Sequence, residues 1–136
     1  MNRMYQRAWK LLILLSAAVL LLSLAGCGKY ASRYKAVALV RSHDSASAEM
    51  SFYSLDGRMV FRLRSTGEGN IRCSARLESG NAAVYYACRG QRAELFRISG
   101  GDTYEAAAGD IRSGTVYIIV ETDGTCMNGQ FIFSID

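Results

Sequence analysis

Alternation of apolar and polar side chains is the feature that most limits how this chain can fold. After Tyr34 no helical period lasts for more than a few residues, whereas β-branched and aromatic residues recur at every second position between glycine-containing segments. Alternation at period two indicates strands with one buried face. We therefore predict an all-β domain, an antiparallel β-sandwich or small barrel of about eight strands, after an N-terminal signal helix.

One pair of strands is predicted around the dipeptide Asp56-Gly57, which is a typical two-residue hairpin turn. Centring the turn there places Phe52 opposite Phe61 and Met50 opposite Leu63. One face of this hairpin is then apolar, as a half-buried sheet requires.

A second hairpin is predicted over residues 71–89, with Gly80-Asn81 as its turn. This register places Cys73 directly opposite Cys88, at a Cα separation that a disulfide accepts. Two buried reduced thiols are the alternative. Cys126 falls in a turn-rich segment, as a free thiol, an alternative partner or an ordinary loop residue, and we favour the last.

The remaining strands are predicted at residues 34–41 and 92–99, with a short segment near Tyr104 and a closing pair at 115–121 and 130–135. This closing pair is similar to the terminal strands of small uncharacterised β-sandwich lipoproteins. The similarity covers about a fifth of the chain and concerns the fold rather than the function.

The amino terminus has the layout of a secretory signal. Arg3, Arg7 and Lys10 precede an apolar run over residues 11–25. A retained membrane anchor is the alternative, but the run of about 15 residues is shorter than the roughly 20 needed to cross a bilayer. The length favours a cleaved signal.

The residues Leu24-Ala25-Gly26-Cys27 resemble the lipobox of bacterial lipoproteins. The resemblance implies diacylglycerol on the Cys27 thiol, cleavage after Gly26, and a lipid anchor in the cell membrane or outer membrane, outside the cytoplasm. The predicted organisation is a signal peptide over 1–26, a lipidated cysteine and tether over 27–33, and a β-sandwich domain over 34–136.

Charge limits the kinds of partner. The chain has 16 basic and 12 acidic residues, but three of the basic residues lie in the signal, so the mature part is nearly neutral. Nucleic-acid binding needs a concentrated basic surface, which interspersed signs do not predict. We expect no nucleic-acid partner.

The sequence has few residues that could form a catalytic or metal-binding site. His43 is the one histidine of the sequence, and its neighbours in His43-Asp44-Ser45 cannot converge as a catalytic triad does. Neither a zinc spacing nor a dedicated calcium loop is found. We predict no enzyme activity, no metal and no cofactor.

Binding is the remaining class of function. The second hairpin would place Arg72, Arg76, Tyr85 and Arg89, with Phe96 beside them, on one outward face, where arginine and aromatic side chains could hold an envelope glycan or a protein partner. The predicted function is a lipid-anchored β-sandwich for binding or envelope assembly. The alternative is an inhibitor of an extracellular hydrolase such as lysozyme.

Overall fold

The structure, a computed structural model, describes residues 5–16 and 30–135. The chain divides into two compact units, Met1–Ala31 and Ser32–Asp136. Residues 5–16 form an α-helix. No helix of the described residues is long and apolar enough to cross a membrane. Cys27 and the predicted cleavage site lie outside the described residues.

Seven strands form the second unit. They are β1 (Arg33–Val37), β2 (Val40–His43), β3 (Ser47–Ser65), β4 (Gly69–Cys88), β5 (Gln91–Ser99), β6 (Thr103–Ile111) and β7 (Gly114–Ile135). All neighbours are antiparallel, in the order β1-β3-β7-β4-β5, with β2 also paired to β3 and β6 also paired to β4. The longest strand, β7, therefore lies between β3 and β4 along most of its length.

The three long strands bend at the same level of the sheet. β-bulges interrupt the pairing of β3 with β7 between Leu55 and Arg58, and the pairing of β4 with β7 between Ser79 and Asn81. The short strands follow this division: β2 and β6 pair with one half of β3 and β4, β5 pairs with the other half of β4, and β1 pairs with residues 54–58 of β3, across the bend. The sheet is thus divided into a first layer, with β2 and β6 at its edges, and a second layer, with β5 at one edge and the Arg33 end of β1 at the other.

The two layers face each other across the core. Phe61 of the second layer contacts Phe133 of the first at 6.4 Å between ring centroids, and Phe96 of β5 stacks on Tyr104 of β6 at 4.0 Å. Buried residues from both halves of each long strand join one cluster. Each bulge shifts the alternation of inward and outward positions by one residue. The apolar side chains of both halves of a strand therefore point into this core. The predicted fold class, an antiparallel β-sandwich, is confirmed.

Glycines make the bends possible. Gly57 has φ +130°, and a Cβ there would lie 2.2 Å from the carbonyl oxygen of Arg33 in β1. The Thr122 hydroxyl replaces backbone hydrogen bonds that the bulge removes. It accepts a hydrogen bond from the Gly57 N–H at 2.8 Å and donates one to the Gly57 carbonyl at 3.3 Å. At Gly80, with φ +98°, a Cβ would lie 2.8 Å from the Cys126 sulfur.

The predicted hairpins are wrong. Asp56-Gly57 lies inside the continuous strand β3, where Phe52 is opposite Gly129 and Phe61 is opposite Ile118 of β7. Residues 115–121 and 130–135 are two halves of one strand, β7, rather than a closing pair. In each case the turn-like dipeptide or segment bends a strand over the core instead of reversing it.

The register that suggested a disulfide is wrong for the same reason. Cys73 and Cys88 lie in separate halves of the single strand β4, opposite Phe133 and Val116 respectively. The structure has both as free, buried cysteines. Cys126 is also free and fully buried at the bend, rather than in a loop, and its thiol donates to the Asn81 carbonyl at 3.3 Å.

Candidate functional site

A groove crosses the first layer where the strands bend, and we call it the bend groove. It has a volume of about 530 Å³. It extends from Ala38, between β1 and β2, across β3, β7 and β4 to Asp102, in the turn between β5 and β6. Its polar lining is Ser51, Arg76, Glu78, Asp102, Thr103 and Asn128.

The floor of the bend groove is a phenylalanine over a glycine. Phe52 and Gly129 are directly opposed residues of β3 and β7 that line the groove. A Cβ at Gly129 would lie 2.3 Å from the Phe52 ring, so only glycine leaves room for this ring. The ring is nearly buried and also stacks on Phe131 at 6.2 Å.

Unusual backbone conformations concentrate around the bend groove. Ala38 (φ 52°) and Asn128 (φ 47°), two of the three non-glycine residues with positive φ in the described chain, both line it, as does Gly101 (φ 88°). Positive φ is costly for alanine, which has no side-chain hydrogen bond to offset it. The walls of the groove are therefore held in place by the surrounding sheet.

The polar groups of the bend groove include both donors and acceptors. Asn128 Nδ2 donates to Glu78 Oε2, which leaves the amide oxygen of Asn128 and the second carboxylate oxygen of Glu78 for other bonds. The Asp102 carboxylate accepts from the Ser99 N–H at 3.4 Å. Arg76 adds five N–H donors on the same strand as Glu78. This mixed set suits a ligand that has many hydroxyl groups.

A second surface covers the outside of the second layer, and we call it the arginine face. Its basic residues are Arg33, Arg58, Arg62, Arg64, Arg92 and Arg97. Within the described residues, the acidic side chains on this face are Glu94 and Glu121, together with Asp123 beside Arg97 and, at the bend, Asp56 opposite Lys35. The face is therefore basic overall, although residues 27–136 together are nearly neutral.

Part of the arginine face is a fixed ion-pair network. Glu121 Oε1 lies 3.1 Å from Arg58 Nη2 and 3.0 Å from Arg92 Nη2. Arg92 reaches Glu121 across the Tyr85 ring, with its guanidinium carbon 4.3 Å from the ring centroid. Beneath these side chains Ile119, Ala83 and Ala87 are buried on the outer side of the sheet. The aromatic and arginine side chains thus shield an apolar strip.

The predicted binding residues do not share one surface. Arg72 and Arg76 are exposed on the first layer, and Arg76 alone lines the bend groove. Tyr85 lies on the second layer under Arg92. Arg89 lies in the turn between β4 and β5, with its Nη2 3.4 Å from the Ser113 carbonyl. The bend of β4 separates these residues.

Sequence reasoning was also wrong about Phe96, which is buried against Tyr104 rather than exposed. It missed most of the groove, because Ser51, Asp102 and Asn128 converge from two strands and a turn that are distant in sequence. The positive φ of Asn128 had one detectable sign, the turn-forming segment Met127-Asn128-Gly129.

His43 and Asp44 stabilise local structure. The His43 ring lies 6.5 Å from that of Phe61. The Asp44 carboxylate accepts hydrogen bonds from the N–H groups of Ala46 and Ser47, both at 2.9 Å. These bonds, with that of Ala46 the strongest cause, hold the pKa of Asp44 below its usual value. Among the described residues, no group of three or more His, Cys, Asp or Glu side chains could hold a metal ion.

Comparison with known proteins gives structural likenesses only. No family model and no curated protein matches the sequence. The structure is similar to TmCBM61 in complex with β-1,4-galactotriose (14% identity, 82% of this chain and 92% of that chain, TM-score 0.45). It is also similar to a family 29 carbohydrate binding module (15% identity, 78% and 75%, TM-score 0.41).

A third likeness is to a ruminal GH26 endo-β-1,4-mannanase, with 9% identity and a TM-score of 0.42 over 60% of this chain. The chain spans only 19% of the length of that enzyme. All three TM-scores are below 0.5, and the sandwich architecture is established by the strand pairing and ring contacts of the chain itself.

Proposed function

We propose that this chain is a lipid-anchored, extracytoplasmic binding protein that holds an envelope glycan in the bend groove. The anchor is a diacylglycerol on Cys27, supported by the lipobox-like residues at 24–27 and the signal-like segment before them. The observation that carries the glycan proposal is the groove itself, since a concave site with a few convergent polar groups is the form that small-ligand sites take.

The chemistry of the groove supports a sugar chain. Carboxylates at Glu78 and Asp102 accept hydrogen bonds from hydroxyl groups, whereas Arg76 donates to ring or carbonyl oxygens. The groove crosses the strands from one edge of the sheet to the other, so a chain-like ligand can enter and leave it. No tryptophan follows residue 9, so binding relies on hydrogen bonds rather than on a broad stacking platform.

Glycan binding is tested on the lipidated full chain in detergent micelles, titrated with soluble glycan-strand fragments of peptidoglycan. Arg76→Ala is expected to weaken binding by about tenfold to a hundredfold, because a charge-assisted hydrogen bond contributes roughly 1.5 to 3 kcal/mol. Arg72→Ala is the matched control, since Arg72 is exposed on the same strand and outside the groove. Equal losses in both variants, or no binding by the unmodified chain, would contradict the proposal.

The anchor is tested separately by membrane fractionation and mass spectrometry. The chain is expected to begin at Cys27 and to carry a diacylglycerol mass, and Cys27→Ser is expected to prevent both the lipid addition and the cleavage. An intact N-terminus in the membrane-bound protein would show that no lipoprotein processing takes place.

A further inference from the structure

We propose that the arginine face docks on an anionic phospholipid surface, so that the bend groove is presented away from the bilayer. This inference rests on the lipid anchor at Cys27 proposed above. It does not depend on which ligand the groove holds.

Charge is unevenly divided between the outer faces of the two layers. Within the described chain, the arginine face has six arginines and Lys35 against four acids, Asp56, Glu94, Glu121 and Asp123. The outer face of the first layer has Arg72 and Arg76 against the three acids Glu49, Glu78 and Glu105. A nearly neutral domain therefore has one basic side, and such a side is attracted to a negatively charged surface.

The individual arginines of this face differ in exposure and in ion pairing. Arg58 and Arg92 hold Glu121 and are about two-thirds covered. Arg33, Arg62 and Arg64 are exposed, and Arg97, paired with Glu94, keeps 71% of its side chain exposed. The network thus neutralises the acid at the centre of the face and leaves cations at its margin for external anions.

The tether between Cys27 and β1 is short. Five residues lie between Cys27 and Arg33, the first residue of β1, and the six residue-to-residue steps of an extended chain span at most about 20 Å. Arg33 is itself on the arginine face, directly opposite Arg58. A lipid on Cys27 therefore keeps this edge of the face near the headgroups, where each basic residue at the surface strengthens association about fivefold.

Continuous strand pairing places the basic side chains of β3 on one broad surface. The face is built on regular pairing of β3, β7 and β4, with arginines at alternate positions Arg58, Arg62 and Arg64 of β3 on the same side. Tyr85 and Tyr117 lie between the arginines and have amphipathic rings suited to a headgroup region. The first layer, with the bend groove, faces the other way.

The experiment uses the lipidated full chain in vesicles of phosphatidylcholine alone or with phosphatidylglycerol added. Arginines are modified with phenylglyoxal, and the rate at each site is read by mass spectrometry. Modification of Arg62, Arg64 and Arg97 is expected to slow about fivefold or more in the anionic vesicles. Modification of Arg72 and Arg76 is expected to be equal in both, and 1 M salt should abolish the difference.

A triple variant tests the assignment to these side chains. Arg62→Glu, Arg64→Glu and Arg97→Glu together should remove the lipid-dependent protection of the remaining site Arg33, whereas Arg72→Glu with Arg76→Glu should preserve it. All five positions are exposed, and circular dichroism checks that the variants fold.

Three results would overturn the proposal. One is an equal modification rate at Arg62, Arg64 and Arg97 in neutral and anionic vesicles to which the protein remains bound. Another is equal or stronger protection by soluble hyaluronate in neutral vesicles, which would assign the face to an acidic polymer. The third is protection of Arg72 and Arg76 to the same degree. Vesicle flotation reports the anchor separately, so a missing lipid is distinguished from a missing docking surface.

Discussion

Gly57 shows how one residue decides the path of a strand. Its φ of +130° and its contact with Arg33 would both oppose a side chain. Gly57→Ala is expected to destabilise the domain by about 2 to 4 kcal/mol, because backbone atoms rather than a flexible side chain occupy the position of the new methyl group. Urea denaturation measures the loss.

The matched control for Gly57 is Gly124, which also has positive φ, at 74°, but whose Cβ would have no atom within 4 Å apart from those of its chain neighbours. Gly124→Ala should lower the free energy of unfolding by only about 1 to 2 kcal/mol, the strain of placing alanine in a left-handed backbone conformation. Equal costs at the two positions would mean that the close approach of β1 to the bend does not exist.

Cys73 shows what burial does to a thiol. Burial raises its pKa to about 12, whereas a thiol in the unfolded chain ionises near 9. The folded state therefore binds this proton more tightly, so the stability contribution is complete below pH 9 and is lost as the pH rises from 9 towards 12. Between pH 8 and 10.5 the wild type should lose about 2 kcal/mol more unfolding free energy than Cys73→Ala.

Thiol titration of the denatured chain checks which cysteines are free. Three reactive thiols are expected per lipidated chain, those of Cys73, Cys88 and Cys126, since the structure has all three free. A count of four would mean that Cys27 carries no lipid. A count of one that rises to three on reduction would restore the disulfide that the structure contradicts.

At the scale of elements, strand positions could be predicted, but strand partners could not. The pattern Met50-Phe52 followed by Phe61-Leu63 fits a hairpin at Gly57, and it fits equally well a strand that bends there with a bulge. In both arrangements the two apolar pairs face the core, because the bulge changes the parity of the inward positions. The distinction depends on β7, which is remote in sequence.

The facing of the candidate binding residues could likewise be predicted only in part. Arg76 could be predicted as an exposed residue of β4, since the alternation Ile71, Cys73, Ala75 and Leu77 fixes the outward positions. The inward alternation then shifts to Ala82 and Val84, which moves Tyr85 to the other layer. The local alternation of residues predicts which side chains of each half-strand point outward. It does not predict the bend between the halves, and this bend forms the groove.

Thr122 links two elements at the bend, and its role can be measured. Thr122→Val removes both hydrogen bonds with Gly57 while keeping the side-chain shape, and it is expected to destabilise the domain by about 1 to 3 kcal/mol because the Gly57 groups lose their partner. Thr122→Ser keeps the hydroxyl and should cost less. If serine and valine are equally destabilising, the hydroxyl does not replace the ladder.

At the scale of the whole molecule, the order of the strands in the sheet differs from their order in the chain. β7 follows all other described strands, yet it lies between β3 and β4 and pairs with both. Its half in the first layer includes Phe131 and Phe133, both fully buried. The two earlier long strands therefore have no shared partner until β7 is present, and folding must wait for pairings between distant segments.

Truncation tests this dependence. A chain that ends at Met127 lacks the first-layer half of β7, which exposes the facing edges of β3 and β4 and removes both phenylalanines from the core. We expect it to lack cooperative unfolding and to be digested rapidly by protease. The control deletes residues 33–37, an edge strand that pairs only with β3 among the described strands, and should leave a cooperative transition at reduced stability. A cooperative transition in the chain that ends at Met127 would show that β3 and β4 can assemble without the central strand, and the bent sheet would then owe its form to the glycines rather than to β7.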